Sequence, residues 1–283
     1  MTDNLSNQTA SNWVSVKTRF NLKALGKPIY PRATEMPPWQ HVQTHSHTWG
    51  QLAYTSDGVL GVHTPAGKFV IPPDQALWIP PNLPHETFCR YGGHFRSVYI
   101  DEKYVKVLGN EAKLLHVNEL LKAMILEVCN WPPNYQPNDK KLRFTQVFID
   151  QLECAQTSSF FMPTAQDDRL LPIISELHAN PGCNKTLEQW GELVGASTRT
   201  LNRLFHKSFA MNFSQWKQKL RGLRAVEMIE AGYTQQTIAE QLGFESSSAF
   251  NTAFKKVFKC TPGQYLKKQK HYNLITIPTT KNN

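Results

Sequence analysis

The spacing of apolar residues changes twice along the chain, and the first part predicts strands. Between residues 28 and 100, short apolar or alternating runs lie between turns that contain ten prolines. The predicted strands cover residues 51–55, 59–63, 68–71, 76–79 and 97–100. Short strands at such close spacing favour an antiparallel sandwich or barrel.

Residues 111–157 follow the spacing of a helix instead. Apolar side chains recur at i, i+3, i+4 and i+7 through Val117, Leu120, Leu121, Met124, Ile125 and Val128. Trp131 and the two prolines after it end this helix, and a second helix is predicted for residues 139–156. Polar residues at 157–159 and 164–167 then indicate a linker near residue 160.

From residue 168 onwards one helical pattern occurs twice, at 186–209 and at 234–258. Each copy has a short helix, a glycine turn (Gly195 or Gly243) and a second helix that begins at a serine (Ser197 or Ser246). In the first copy the predicted apolar face of the short helix is Leu187, Trp190, Leu193 and Val194. Residues 214–231, between the copies, predict an amphipathic helix that holds the two modules in fixed relation.

The outer face of the second helix is polar in both copies. A short helix packed across a second helix with such a face can enter a DNA major groove. Arginine can bond guanine there, and asparagine can bond adenine. The candidate DNA-contacting residues are Arg199, Asn202, Arg203 and His206 in the first copy, and Ser247, Ser248, Asn251, Thr252 and Lys255 in the second.

Charge and composition narrow the class of protein. The formal net charge is +9, and residues 166–283 contain 16 Lys and Arg against 9 Asp and Glu. This asymmetry favours a polyanion, such as double-stranded DNA, as the partner of that part. No run approaches the roughly 20 apolar residues of a membrane span, and residues 1–13 lack the pattern of a secretory signal. We therefore expect a cytoplasmic protein with no membrane partner, and five cysteines without a close pair argue against a disulfide framework.

Residues 168–268 resemble the DNA-binding domain of the AraC/XylS family of transcription regulators. The segments that carry the resemblance are LVGASTRTLNRLF, RGLRAVEMIEAG, TIAEQLGFESSSAFNTAFKKVF and TPGQYL. The resemblance implies that both second helices enter successive major grooves on one face of DNA. The base-facing positions are then Arg199, Asn202, Arg203, Ser247, Ser248, Asn251 and Thr252. Ala210 and Lys259 stand where the family usually has glycine, so mild strain or another turn geometry is expected at these two helix ends.

Three histidines in the N-terminal part are candidate metal ligands. His45 and His47 lie two residues apart at the start of a predicted strand, so their side chains and that of Gln51 would share one face. His85 follows a turn that contains three prolines. Because of this order of histidines and glutamine, residues 40–100 resemble a cupin barrel of the sensor type attached to AraC/XylS domains. The resemblance implies one divalent transition metal (Zn, Ni or Fe) at His45, His47, Gln51 and His85, although glutamine is a poorer ligand than the usual glutamate.

Two other interpretations of the histidines stay open. His45 and His47 could line a pocket for an organic effector, or the histidines could have a purely structural role. For an effector pocket, the apolar walls would be supplied by Trp49, Tyr54, His63 and Trp78.

The sequence therefore predicts an α+β protein of two domains. Residues 1–160 form a cupin-like β-barrel sensor with a helical segment that, by the resemblance, pairs two subunits; the alternative is that this segment packs against its own barrel. Residues 161–283 form an all-α domain of two helix-turn-helix modules joined by a linker helix. The predicted function is that of a sequence-specific transcription regulator, activator or repressor. Its expected partners are double-stranded DNA, a small-molecule or metal effector, RNA polymerase and a second copy of the chain.

Two other functions fit parts of the sequence: that of a metal-dependent cupin enzyme with a helical appendage, and that of a nucleoid-type architectural protein without an effector. An enzyme does not need a duplicated helix-turn-helix, and Glu86 is the only acidic residue near the histidines. An architectural protein does not need a cupin. The prediction is therefore a regulator that is not an enzyme.

Overall fold

The computed structural model describes residues 13–18, 24–157, 161–163, 165 and 167–273. Its N-terminal part is built from two sheets and its C-terminal part from helices, as the sequence predicts. The first sheet contains, in spatial order, β1 (Val14–Val16), β3 (Gln40–His45), β8 (His85–Cys89), β5 (Leu60–Thr64), β6 (Gly67–Ile71) and β11 (Phe161–Pro163). The second contains β10 (Lys113–His116), β7 (Gln75–Ile79), β4 (Gly50–Thr55), β9 (Gly93–Ile100) and β2 (Ile29–Met36).

Neighbouring strands run antiparallel except β1, which pairs with β3 in parallel. Side chains from the two sheets share one apolar core, in which Val62, Phe69 and Ile71 meet Leu77 and Ile79. The five strands predicted from the sequence all occur in the structure as β4, β5, β6, β7 and β9. A short 3-10 helix, Glu102–Val107, follows β9.

Two helices, α1 (Glu119–Cys129) and α2 (Asp139–Cys154), cover the second sheet on the face away from the first. Because both faces of that sheet are covered, every residue of β4 and of β7 is buried. Both helices agree with the sequence prediction, but the helical region was predicted to begin before them, and residues 113–116 instead form strand β10. Leu120, which the spacing assigned to the buried face of α1, is instead 54% exposed.

The C-terminal domain contains α3 (Leu170–Ala179), α4 (Leu187–Val194), α5 (Thr198–Phe209), α6 (Phe213–Glu230), α7 (Gln235–Gln241), α8 (Ser247–Phe258) and α9 (Pro262–Asn273). The helix pairs α4–α5 and α7–α8 are the two predicted helix-turn-helix modules, and α6 joins them. Leu193 was predicted to pack inward from α4, but it is 64% exposed, and Trp190 is the buried anchor of that helix.

The boundary between the domains follows a strand. Phe161–Pro163 pairs with β6, so the chain still belongs to the first sheet at residue 163. Of the predicted linker, residues 158, 159, 164 and 166 lie outside the described residues. Within the described part of the chain, no helix is long and apolar enough to cross a membrane.

Candidate DNA-binding surface and effector site

Local capping chemistry sets the start of each second helix. The Ser197 hydroxyl accepts a hydrogen bond from the Thr200 amide at 3.2 Å, and the Ser246 hydroxyl accepts one from the Ala249 amide at 3.1 Å. Each bond satisfies an amide that the first turn of a helix leaves without an intrahelical partner. Gly195, at the turn of the first module, adopts the left-handed conformation with φ of 65°.

On α5, the cationic candidates lie on the solvent side. Arg199, Arg203 and His206 are exposed, whereas Leu201 and Phe205 on the opposite side are fully buried. Asn202 is half-buried, and its Oδ1 accepts a hydrogen bond from the Phe213 amide at 3.4 Å. The structure therefore gives Asn202 a contact at the start of α6, and its predicted contact with adenine stays a prediction.

On α8, Ser248, Thr252 and Lys255 are exposed, and Ser247 and Asn251 are half-buried. The Asn251 amide donates a hydrogen bond to Gln235 Oε1 at 3.0 Å, which connects α8 to α7. The outer face of α8 is thus small and polar, while Phe250 and Phe254 fill the core behind it. Such a face allows close approach to the floor of a major groove.

Helix α6 belongs to the cores of both modules. Trp216, Leu220 and Leu223, in its N-terminal and middle part, pack with residues of α3, α4 and α5. Val226 and Ile229, in its second half, pack with residues of α7, α8 and α9. One continuous helix therefore fixes the two recognition helices relative to each other.

The three histidines meet at one end of the barrel. The ring centroids of His45 and His85 are 4.3 Å apart, those of His47 and His85 are 5.2 Å apart, and those of His45 and His47 are 6.2 Å apart. The prediction that His45, His47 and Gln51 share one strand is wrong: His45 ends β3, Gln51 lies in β4, and a turn holds His47 between them. The rings converge because β3 pairs with β8, where His45 lies opposite His85.

Backbone carbonyls hold all three rings in the same way. Nδ1 of His45, His47 and His85 hydrogen bonds to the carbonyl oxygens of Gln43, Trp49 and Leu83, at 2.9, 2.7 and 2.9 Å. Burial lowers the pKa of all three rings, that of His85 to about 3, so they are neutral at pH 7. In a neutral ring whose Nδ1 donates, Nε2 is left as an acceptor.

The surroundings of the three Nε2 atoms differ. His85 Nε2 is buried and finds no hydrogen-bond partner among the described residues. His47 Nε2 lies 2.9 Å from Gln51 Oε1, and the Gln51 amide also bonds the Ser97 hydroxyl at 2.9 Å. Because the neutral His47 ring can only accept at Nε2, the amide N–H of Gln51 must face it, which corresponds to the opposite amide orientation. Within the described part of the chain, no group of three or more His, Cys, Asp or Glu side chains has the geometry to hold a metal ion.

A cavity of about 270 Å³ opens beside the histidines inside the barrel. His45, Gln51 and Tyr99 form part of its wall together with Arg32 and Lys17. Its volume is near the lower end of the range for small-molecule sites.

The side chains predicted as the walls of an effector pocket lie elsewhere. Tyr54 and Trp78 are fully buried between the second sheet and the helices α1 and α2. Trp49 stacks on His47 with ring centroids 5.4 Å apart, behind the cavity wall. His63 points away from the barrel interior, and its Nδ1 lies 3.1 Å from a carboxylate oxygen of Glu86. None of these four side chains lines the interior cavity, which corrects the prediction of Trp49, Tyr54 and Trp78 as pocket walls, whereas His63 lines a second cavity between the two domains.

A second cavity, of about 250 Å³, lies between the two domains and was not predicted from the sequence. Lys68 and Phe88 line it from the barrel, and Leu223, Arg224 and Glu227 line it from α6. Beside it, Arg90 Nε lies 4.0 Å from a Glu227 carboxylate oxygen, so one ion pair crosses from the barrel to the DNA-binding domain.

Comparison with known families agrees with this two-domain architecture. Residues 32–129 match the model of the AraC-like ligand binding domain, and residues 190–268 match a helix-turn-helix domain model. The chain is a member of the AraC/XylS family of transcription regulators. The resemblance noted from the sequence is thereby confirmed for the helix-turn-helix domain and for an AraC-like ligand-binding N-terminal domain, as is the α+β architecture, whereas the cupin type of that N-terminal domain stays a prediction. An AraC-family regulator binds DNA and carries an N-terminal ligand-binding domain.

The chain is similar to two transcription regulators over about three quarters of its residues. It is 27% identical over 222 residues to the HTH-type transcriptional regulator NimR of Escherichia coli (strain K12). The aligned region covers 78% of this chain and 81% of NimR. It is 24% identical over 242 residues to the transcriptional activator RclR of the same organism, which covers 74% of this chain and 81% of RclR. Among solved structures, ToxT from Vibrio cholerae is 16% identical, with a TM-score of 0.37, over 85% of this chain and 98% of ToxT.

Proposed function

We propose that this regulator binds a bipartite operator in double-stranded DNA through α5 and α8, and that a small organic molecule in the barrel cavity changes this binding. The observation that carries the DNA-binding half is the pair of capped helices with exposed polar faces, fixed by one linker helix. Arg199, Arg203 and Lys255 supply the exposed positive charge on these faces.

The first experiment selects duplexes from a random-sequence library with the full-length chain. We expect the selected duplexes to share a motif with two separated segments. The logarithm of the affinity for this motif should fall linearly with the logarithm of the salt concentration, with a slope of about −0.9 for each phosphate contacted. Failure to enrich any motif at low salt would overturn the proposal.

The effector half rests on the chemistry of the interior cavity. Arg32 and Lys17 bring positive charge, Glu35 brings negative charge, and His45 and Gln51 bring hydrogen-bonding groups, to a space that apolar side chains such as Val42 also line. Polar groups that converge in a cavity with apolar wall segments can fix the orientation of a small organic ligand. A ligand that binds there stabilises the folded barrel by mass action.

A thermal-shift screen of small organic molecules tests the effector half with three proteins: the wild type, His45→Ala and His94→Ala. His94 is a half-exposed imidazole that pairs with Asp57 outside the cavity, so it is the matched control. A true effector should raise the melting temperature of the wild type and of His94→Ala, and lose most of its effect on His45→Ala. Equal shifts in all three proteins would exclude the interior cavity as its site.

A divalent transition metal at His45, His47 and His85 is the second candidate for the sensor. The observation that favours it is the Nδ1 hydrogen bond of each ring to a backbone carbonyl, which is the usual support of a metal-ligating imidazole. The buried, unpartnered Nε2 of His85 adds to it, and Gln51 would stand beside His47. Bound there, a metal would supply a positively charged anchor for an effector. Against it, the described side chains do not meet the geometry of a metal centre.

Elemental analysis of protein purified without a histidine tag decides between these candidates. About one Zn, Ni or Fe per chain in the wild type, lost in His85→Ala and kept in His94→Ala, would establish the metal. Metal content that does not change between the two variants would overturn it.

We also propose that α1 and α2 pair two subunits. Leu120 on α1 and Val147 on α2 are 54% and 49% exposed, and large apolar side chains that form a continuous exposed patch mark protein–protein interaction sites. Sedimentation of the full-length chain should give a dimer, and Leu120→Glu with Val147→Glu should give a monomer. Unchanged sedimentation of the double variant would exclude this surface.

A further inference from the structure

One arginine of the linker helix contacts both helix-turn-helix modules. Arg221, in the middle of α6, is only 9% exposed although it carries a permanent charge. Its Nε donates to the Pro181 carbonyl oxygen at 2.9 Å, and its Nη2 donates to Asn184 Oδ1 at 2.9 Å. Both acceptors lie in the loop that leads into α4, so this end of the guanidinium is tied to the first module.

The other end of the guanidinium faces the second module. Nη1 of Arg221 lies 3.5 Å from the Gly243 carbonyl oxygen, and the guanidinium carbon lies 5.2 Å from the centre of the Phe244 ring. Gly243 and Phe244 form the turn between α7 and α8. The planar fork of arginine thus bonds the backbone of one module and stacks on an aromatic ring of the other, which a lysine ammonium cannot reproduce.

The two modules also touch directly beside Arg221. A Cβ atom on Gly182 would lie 2.5 Å from the Gln241 carbonyl oxygen, and a Cβ atom on Gly243 would lie 2.4 Å from the Gly182 carbonyl oxygen. Only glycine permits this approach, and Gly243 in addition has φ of 69°. The contact between residues 182 and 243 is therefore built on two glycines, with Arg221 bonded across it.

The acceptors around Arg221 are neutral. They are backbone carbonyl oxygens and one amide oxygen, and no carboxylate bonds this guanidinium among the described residues. A buried cation is costly unless its donors are satisfied, so the geometry of this contact is stringent. A stringent contact between two modules restricts their relative rotation more than apolar packing alone.

We propose that Arg221 is the positioning residue that sets the spacing and rotation of the two recognition helices, so that the modules bind their two DNA segments as one rigid unit. This inference rests on the proposed binding of a bipartite operator. With Arg221 in place, both helices meet DNA without a further loss of freedom. Without it, each module keeps its own core and its own base contacts, but the connection between them loosens.

The test uses the full-length chain and the operator selected above. Duplexes carry the two segments at the selected spacing, with one or two extra base pairs between them, or with one segment scrambled. One extra base pair turns the segments by about 35° relative to each other. For the wild type we expect this insertion to weaken binding by about tenfold or more, because the second contact then falls out of register.

Arg221→Met keeps the length of the side chain and removes its donors. We expect it to bind the selected spacing about tenfold more weakly than the wild type, and to lose less than about threefold on insertion of one base pair. Its affinity for a duplex with one intact segment should stay within about twofold of the wild type. Lys219→Met, the matched control, removes one positive charge from the same helix, so any loss of affinity should be equal at all spacings.

Asn184→Ala is the second variant, since it removes one 2.9 Å bond to Arg221 from an exposed position. It should reduce the spacing penalty in the same direction by a smaller factor, and it decides the matter if circular dichroism finds Arg221→Met unfolded. The inference is overturned if the tested variant is folded and retains the wild-type spacing penalty. It is equally overturned if the selected operator contains a single segment, whereas the absence of any selected motif would refute the proposed function itself.

Discussion

Ala210 and Lys259 adopt the same left-handed backbone conformation, with φ of 54° and 60°, at the ends of the two recognition helices α5 and α8. Each amide donates to the carbonyl four residues earlier, from Ala210 to His206 and from Lys259 to Lys255. This conformation costs a residue with a Cβ roughly 1–2 kcal/mol. The expectation of strained helix ends is thus met by two non-glycine residues in a glycine conformation.

Replacing either residue by glycine should stabilise the protein. Ala210→Gly and Lys259→Gly each remove the Cβ clash, but they also make the unfolded chain more flexible. The first effect is larger, so we expect a net increase of about 0.5–1 kcal/mol in the free energy of unfolding. Urea denaturation measures it. Ala231→Gly is the matched control, because Ala231 ends α6 with an ordinary φ of −77°. This substitution should therefore destabilise the protein by roughly 0.5–1 kcal/mol. A loss of stability in Ala210→Gly similar to that in Ala231→Gly would contradict the argument.

The helices of this protein could be predicted from the sequence because their signals are local. Ser197 and Ser246 cap helices within three residues of themselves, and the apolar spacing of α5 and α8 matches the buried faces. Strand β3 gave no such signal, since its sequence QHVQTH is mostly polar. It is a strand because it pairs with β8, which lies about 40 residues further along the chain.

The candidate sites could also be predicted only where their signals are local in the sequence. His45, His47 and His85 were found by their order in the sequence, but the reason that they meet, the pairing of β3 with β8, is a long-range contact. Arg221 was not singled out, because a charge on an amphipathic helix normally indicates the solvent side. Its hydrogen-bond acceptors lie about 40 and 22 residues away in the sequence, in two different turns. No pattern near residue 221 could therefore predict these contacts.

Arg203 and Lys255 are expected to act differently on DNA. Arg203 is exposed on α5. If it bonds guanine, Arg203→Ala should lose about 1–3 kcal/mol of binding free energy on the operator with that guanine, and should bind duplexes with another base at this position almost as the wild type does. Lys255, near the end of α8, should instead contact phosphate, so Lys255→Ala should weaken all sequences alike and reduce the salt slope by about one. Competition binding with single-base operator variants measures both. A uniform loss for Arg203→Ala would assign it to the phosphates.

Glu227 is expected to hold the two domains together. Its carboxylate accepts a hydrogen bond from Arg224 on the same helix and faces Arg90 of the barrel at 4.0 Å. Glu227→Gln leaves two guanidinium groups, both largely buried, without their carboxylate, so we expect a loss of about 1–3 kcal/mol in the free energy of unfolding. Hydrogen exchange should also rise in α6 and around residue 90.

The matched control for that prediction is Glu240→Gln, which changes an exposed carboxylate on α7 and should alter stability by less than about 0.5 kcal/mol. If Glu227→Gln behaves like this control, the ion pair does not contribute to the contact between the domains.

Glu230 should make the stability of the folded chain fall as pH rises. Burial, together with the nearby negative charges of Asp74 and Asp57, raises the pKa of its carboxyl from 4.5 to about 7. Its Oε1 finds no hydrogen-bond partner among the described residues. Between pH 4.5 and 7 the folded state keeps a proton that the unfolded state has lost. Stability from this group is therefore present below pH 4.5 and is lost as pH rises through about 7.

Glu230→Gln removes this dependence because an amide stays neutral at every pH. Relative to the wild type, we expect the variant to gain on the order of 1–3 kcal/mol between pH 5 and pH 8, measured by urea denaturation at each pH. Glu245→Gln, at an exposed position before α8, is the control and should give no such gain. If the difference between Glu230→Gln and the wild type is the same at pH 5 and pH 8, Glu230 is already ionised at pH 5 in the folded protein, and its carboxylate must then be solvated or paired beside Asp57 and Asp74.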